Sequence, residues 1–97
     1  MVRYVVLFNW TDKGIASFKD STARAAAARA GAAKLGGKVT EILWTIGPHD
    51  LVAIAEFPDD ESFTAFALTV GSAGNVRSTS MRAYSEAEFS KIAARAG

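Results

Sequence analysis

A chain of 97 residues with 49% hydrophobic residues and a formal net charge of +1 has room for one thin core, and its balanced charge offers nothing to draw it to nucleic acid or an anionic membrane surface. With no cysteine and a single histidine, it excludes disulfides, thiolate nucleophiles and a His-rich metal site within one chain. No apolar run reaches the length of a membrane span or a secretory signal, so the expectation is one cytoplasmic domain over residues 1–97, without cofactor, metal, nucleic-acid or membrane partner.

From Arg3 to Trp10 apolar residues occupy both odd positions (Val5, Leu7) and even ones (Tyr4, Val6, Phe8, Trp10). That is the pattern of a strand covered on both faces, central in its sheet. Thr11-Asp12-Lys13-Gly14 breaks the run, and Thr11 or Asp12 is placed to accept from the free N–H groups of a helical turn. Asp20-Ser21 offers a second start, and the pattern leaves open whether Lys13–Lys19 joins the helix that follows. Thr22 to Leu35 is strongly helix-forming, alanine-rich but punctuated by Arg24, Arg29 and Lys34, and it stops at Gly36-Gly37.

The stretch Lys38–Phe57 contains two runs rich in β-branched and aromatic residues around Gly47-Pro48-His49-Asp50, which predicts a hairpin whose second strand spans Asp50–Phe57. Pro58-Asp59-Asp60-Glu61 sets carboxylates at the start of a second helix, where negative charge is favoured. Its Phe63, Phe66, Ala67 and Val70 form one apolar stripe before Gly71-Ser72-Ala73-Gly74 ends it. Asn75–Tyr84 reads as a more polar strand suited to a sheet edge, and Ser85-Glu86-Ala87-Glu88 is a capping box for a last helix running from about Glu86 toward Arg95. The order β, α, β, β, α, β plus a terminal helix predicts an α+β, ferredoxin-like fold, with a four-stranded antiparallel sheet whose first and third strands are central.

In that topology the end of strand one meets the starts of strands three and four. One rim therefore gathers Asn9, Trp10, Asp50, His49, Asn75 and Arg77, with Trp44 nearby. His49 is a candidate general base or hydrogen-bonding ligand group, since its unperturbed pKa of about 6.5 lies near neutrality, and it equally suits a turn histidine with a solvent or backbone partner. A direct His49–Asp50 dyad is not expected, because adjacent strand residues point to opposite faces; strand geometry would put His49 with Leu51 and Asp50 with Val52. Asp50 is equally suited to capture backbone N–H groups in the turn, and Asn9 and Asn75 to hold turns. Trp10 and Trp44 suit either an apolar pocket or packing, and Arg77 either an anion site or solvated surface. The glycine pair follows a helix instead of preceding one, the wrong order for a phosphate loop.

At Tyr4-Val5-Val6-Leu7-Phe8-Asn9-Trp10-Thr11, Leu35-Gly36-Gly37-Lys38, Trp44-Thr45-Ile46-Gly47-Pro48-His49-Asp50 and Gly74-Asn75-Val76-Arg77-Ser78-Thr79-Ser80 the chain resembles the GYD domain family of small bacterial and archaeal proteins. His49 stands where that family usually has Tyr. The resemblance implies a ferredoxin-like fold related to the dimeric α/β barrel proteins, in which two sheets pack face to face in a homodimer or higher oligomer. It implies no activity, and three readings stay open. The first is a homo-oligomeric small-molecule-binding module. The second is a cofactor-independent monooxygenase or isomerase of a small aromatic substrate, with His49 as base and Asn9 or Trp44 positioning the substrate. The third is an assembly module without a ligand.

Overall fold

In the computed structural model, which describes residues 1–97, the N-terminal apolar run becomes strand β1 (Val2–Trp10) and lies in the interior of the sheet. Strands β2 (Lys38–Trp44), β3 (Leu51–Phe57) and β4 (Val76–Ala83) complete it in the order β2-β3-β1-β4, every pairing antiparallel. This is the α+β ferredoxin-like topology, with β1 and β3 central and the polar β4 at an edge. β2 carries an irregularity between Val39 and Glu41. The bulge changes its facing pattern mid-strand, and Thr40 Oγ1 bonds back to the Ile54 carbonyl at 3.2 Å.

Lys13–Lys19 does not extend the long helix. Thr11 caps a short helix α1 (Asp12–Ala16) by accepting from the Gly14 N–H at 3.1 Å. The chain then leaves helical geometry at Ser17 (φ −116°, ψ 40°) and passes through a 3-10 turn at Phe18–Asp20 into α2 (Ser21–Lys34). Gly36 follows with φ 76°, a conformation open to glycine at little cost. Helix α3 (Asp60–Ser72) is capped by Asp59, whose carboxylate accepts from the Ser62 N–H at 2.7 Å. That bond holds the Asp59 pKa below its ordinary value. Helix α4 (Glu86–Arg95) opens with the expected capping box, Ser85 and Glu88 bonding reciprocally.

One face of the sheet is covered by α2 and α3. Tyr4 and Val6 of β1 and Ala53, Ala55 and Phe57 of β3 meet Ala32, Phe63 and Phe66 there. The Tyr4 ring stacks on Phe63 with centroids 3.7 Å apart, and Phe57 meets Phe63 edge-on at 5.5 Å. The Tyr4 hydroxyl donates to the Asp60 carboxylate. Burial first, and that bond second, push its phenol up to about 12.

The other face has no helix over it. Cross-strand partners Val5–Ile54, Leu7–Val52, Val5–Met81 and Leu43–Val52 place an apolar strip along its middle, and Leu43 and Met81 are exposed. Helix α4 buries no residue, leaves Phe89 and Ile92 exposed, and is tied to β1 through Arg3 and Glu88 at 3.1 Å. The radius of gyration, 14.5 Å, exceeds the roughly 13 Å of a compact chain of this length. No helix is long and apolar enough to cross a membrane.

Candidate functional site

The connection from β2 to β3 runs over residues 45–50 and is closed by Thr45 N–H to the Asp50 carbonyl at 2.9 Å. Because β3 begins at Leu51, His49 lies in this loop as the turn signal predicts, and Asp50, expected to open the strand, falls one residue short of it. Both residues are tied to β1 by hydrogen bonds. The Asp50 N–H bonds the Phe8 carbonyl at 2.8 Å, and its carboxylate accepts from the Trp10 N–H at 2.8 Å. Asp50 thus pins the loop to β1 instead of facing His49.

Asn9 supplies the second pin. Its Nδ2 donates to the Pro48 carbonyl at 2.7 Å and its Oδ1 lies 2.9 Å from His49 Nδ1. A carbonyl only accepts, so the Asn9 amide nitrogen faces Pro48 and its oxygen faces the imidazole. Nδ1 then carries a proton, and in the neutral imidazole the lone pair is on Nε2. The His49 carbonyl is held in turn by Thr45 Oγ1 at 2.6 Å. This is an oriented imidazole with its partner fixed, the arrangement a base or an acceptor for a ligand N–H requires.

The rim residues do not form one site, because the sheet separates them. Along β1 side chains alternate, so Asn9 lies on the open face with its cross-strand neighbour Arg77, while Trp10 and its partner Val76 lie on the helix face. Trp44 pairs with Leu51 on the helix face, where its indole N–H donates to Ser21 Oγ of α2 at 2.9 Å. That bond makes it a half-exposed packing residue. Asn75 clamps α1: its carbonyl accepts from the Thr11 N–H at 3.1 Å and lies against Gly14.

On the helix face a cleft of about 280 Å³ opens between α2, α3 and the sheet. Of the expected site residues, Trp10 and Asn75 line it; Asn9, Trp44, His49, Asp50 and Arg77 do not. Its floor includes Val6, Phe8 and Ala53, and its sides are Ala25, Ala28 and Phe66. The cleft exists because α2 turns alanine and glycine toward a sheet position that larger side chains would fill. In the sequence Ala25 and Ala28 read only as helix-forming composition, and Val6, Phe8, Ala53 and Phe66 only as core positions. The recoverable signal is the spacing Ala25, Ala28, Gly31, one face of a helix with almost no side-chain volume. No three His, Cys, Asp or Glu side chains gather to hold a metal ion.

A family model described as the GYD domain matches residues 4–93. No curated protein matches the chain at a significant level. Among solved structures, that of MtbAldR is similar with a TM-score of 0.68 at 14% identity over 88% of this chain and 54% of the other, so this chain spans about half of that protein's length. FFRP-DM1 gives a TM-score of 0.61 at 16% identity, covering 87% of this chain and 100% of that one. TTHA0845 from Thermus thermophilus gives 0.56 at 24% identity, covering 88% and 95%. At such identities the likeness is one of fold.

Proposed function

The chain belongs to the GYD domain family, and we propose that it is a self-associating, small-molecule-binding module of the cytoplasm whose ligand site is the cleft between α2, α3 and the sheet. The observation that carries this reading is the cleft itself. Its volume of about 280 Å³ is roughly twice that of the ~150 Å³ engineered cavity that holds benzene and falls just below the range for drug-sized ligand pockets, about 300 Å³ upward. Apolar walls with few polar groups are the usual composition of such sites.

Self-association rests on the open face. Val5, Leu7, Val52 and Ile54 form a strip that helices leave bare, and α4 extends from its edge with Phe89 and Ile92 exposed. Packing against a second copy covers both and produces the dimeric α/β barrel arrangement. A thermal-shift panel of small aromatic and branched aliphatic compounds tests the cleft. Binders should raise the melting temperature of the wild-type chain and lose that effect in Ala28→Leu, which fills the cleft. Equal shifts in both chains contradict the reading.

A second reading is favoured by the Asn9–His49 pair, which orients a free Nε2. In it His49 is the base of a cofactor-independent monooxygenase or isomerase acting on a small aromatic substrate, with Asn9 positioning the ring. Because Asn9 lies on the open face, the substrate of such an enzyme occupies the side of the sheet opposite the cleft. Turnover that survives His49→Ala would remove this reading.

A further inference from the structure

Of the eleven Lys and Arg side chains, only Arg3 and Arg24 belong to residues withdrawn from solvent. Arg3 has its charge matched, with Glu88 at 3.1 Å and Glu56 at 3.8 Å. Arg24 lines the cleft and has no carboxylate within ion-pair reach. Its partners are neutral: the Ser17 carbonyl at 3.1 Å, the Gly14 carbonyl at 3.2 Å and Ser17 Oγ at 3.4 Å. These bonds fix the guanidinium in place and occupy three of its five N–H donors, leaving two.

A half-buried cation beside an apolar cavity is costly unless an anion meets it. A second polar group converges on the same end. Asn75 lines the cleft, its backbone carbonyl touches Gly14, and Gly14 offers the carbonyl that Arg24 holds. The Asn75 side chain has no hydrogen bond within the chain, which leaves its amide free to donate. The remaining lining is largely apolar, so a second negative charge on the ligand would enter a poorly solvating site with no second cation. That weighs against phosphates and dicarboxylates.

Resting on the cleft as the ligand site, we propose that it selects small apolar monocarboxylic acids. The carboxylate meets the free N–H groups of Arg24, and an aromatic or branched aliphatic body lies on the alanine face of α2. Arg24 is then a binding residue, held in position by α1.

Isothermal titration of the full chain with 4-phenylbutyrate and with its uncharged amide tests this. The acid should bind the wild-type chain at least about ten-fold more tightly than the amide, the scale of a hydrogen bond to a charged group. Arg24→Gln should abolish that preference, Arg24→Lys should retain part of it, and Ala28→Leu should weaken both probes. The wild-type ratio decides alone if an Arg24 variant fails to fold. Equal binding of acid and amide to the wild-type chain overturns the carboxylate inference and leaves the cleft standing as a site. No binding of either probe, or binding unchanged in Ala28→Leu, overturns both.

Discussion

The two faces of this one sheet are both apolar and are finished in opposite ways. On the helix face, aromatic rings from α3 pack tightly against β1 and β3, while the alanines of α2 fall short and leave a cleft. On the open face, the larger aliphatics Val5, Leu7, Val52 and Ile54 are only half-buried and have no helix packed over them. The difference lies in what is missing: volume on one side, a layer on the other. Missing volume with a cation at its end suits a small ligand, and a missing layer suits a second copy of the chain.

The largest expected effect comes from breaking the open face. Leu7→Glu should weaken the self-association proposed for this face by about 3–5 kcal/mol, the scale of an unpaired buried charge, so that the variant sediments as a monomer at concentrations where the wild-type chain sediments as an oligomer. A variant that sediments like the wild-type chain would contradict a contact through this face. Next is the clamp beside the cleft. A Cβ at Gly14 would lie 1.9 Å from the Asn75 carbonyl oxygen, so Gly14→Ala should cost about 1–3 kcal/mol in urea unfolding.

Two substitutions on one helix sharpen the comparison further. Ala32 is fully buried in the core and Ala28 lines the cleft. Ala32→Leu should destabilise by about 1–3 kcal/mol through overpacking, whereas Ala28→Leu should stabilise by about 1 kcal/mol or more as its added carbons leave water. Chemical denaturation of both variants gives the sign directly, and a loss at both positions would mean the cleft has no room.

The smallest effects are in pH. Tyr4, with its pKa raised to about 12, holds its full contribution below the unfolded value of about 10 and loses it as pH rises through that window. In a Tyr84→Phe chain, phenolate absorbance should appear near the top of that range. Asp59 and Glu88 are depressed, each chiefly by the backbone N–H it caps. Their contribution is present above the unfolded carboxylate range and is lost as pH falls below about 4. Asp59→Asn with Glu88→Gln should flatten the acid limb of a stability profile, and an unchanged limb would show these caps to be inert.

The sheet order was readable because burial on two sides leaves a local mark: β1 alternates nothing and β4 is polar. The α3 stripe and the Ser85–Glu88 box were readable for the same reason, since each is a short-range pattern. The site was less so. Whether Asn9 and Trp10 work together depends on which side of the sheet each faces, and the cleft is bounded by residues as distant as Val6 and Val76. The clamp at Gly14 rests on a contact with Asn75, far along the chain, for which no local pattern exists. Alanine is the hardest residue to read: the same letter fills the core at Ala32 and leaves a gap at Ala28.

The most direct test of the account is a methyl-resolved NMR titration of the chain with 4-phenylbutyrate. The methyls of Ala25, Ala28 and Val70 should shift while those of Val5, Leu7 and Val52 on the opposite face do not. Shifts confined to the open-face methyls would contradict it.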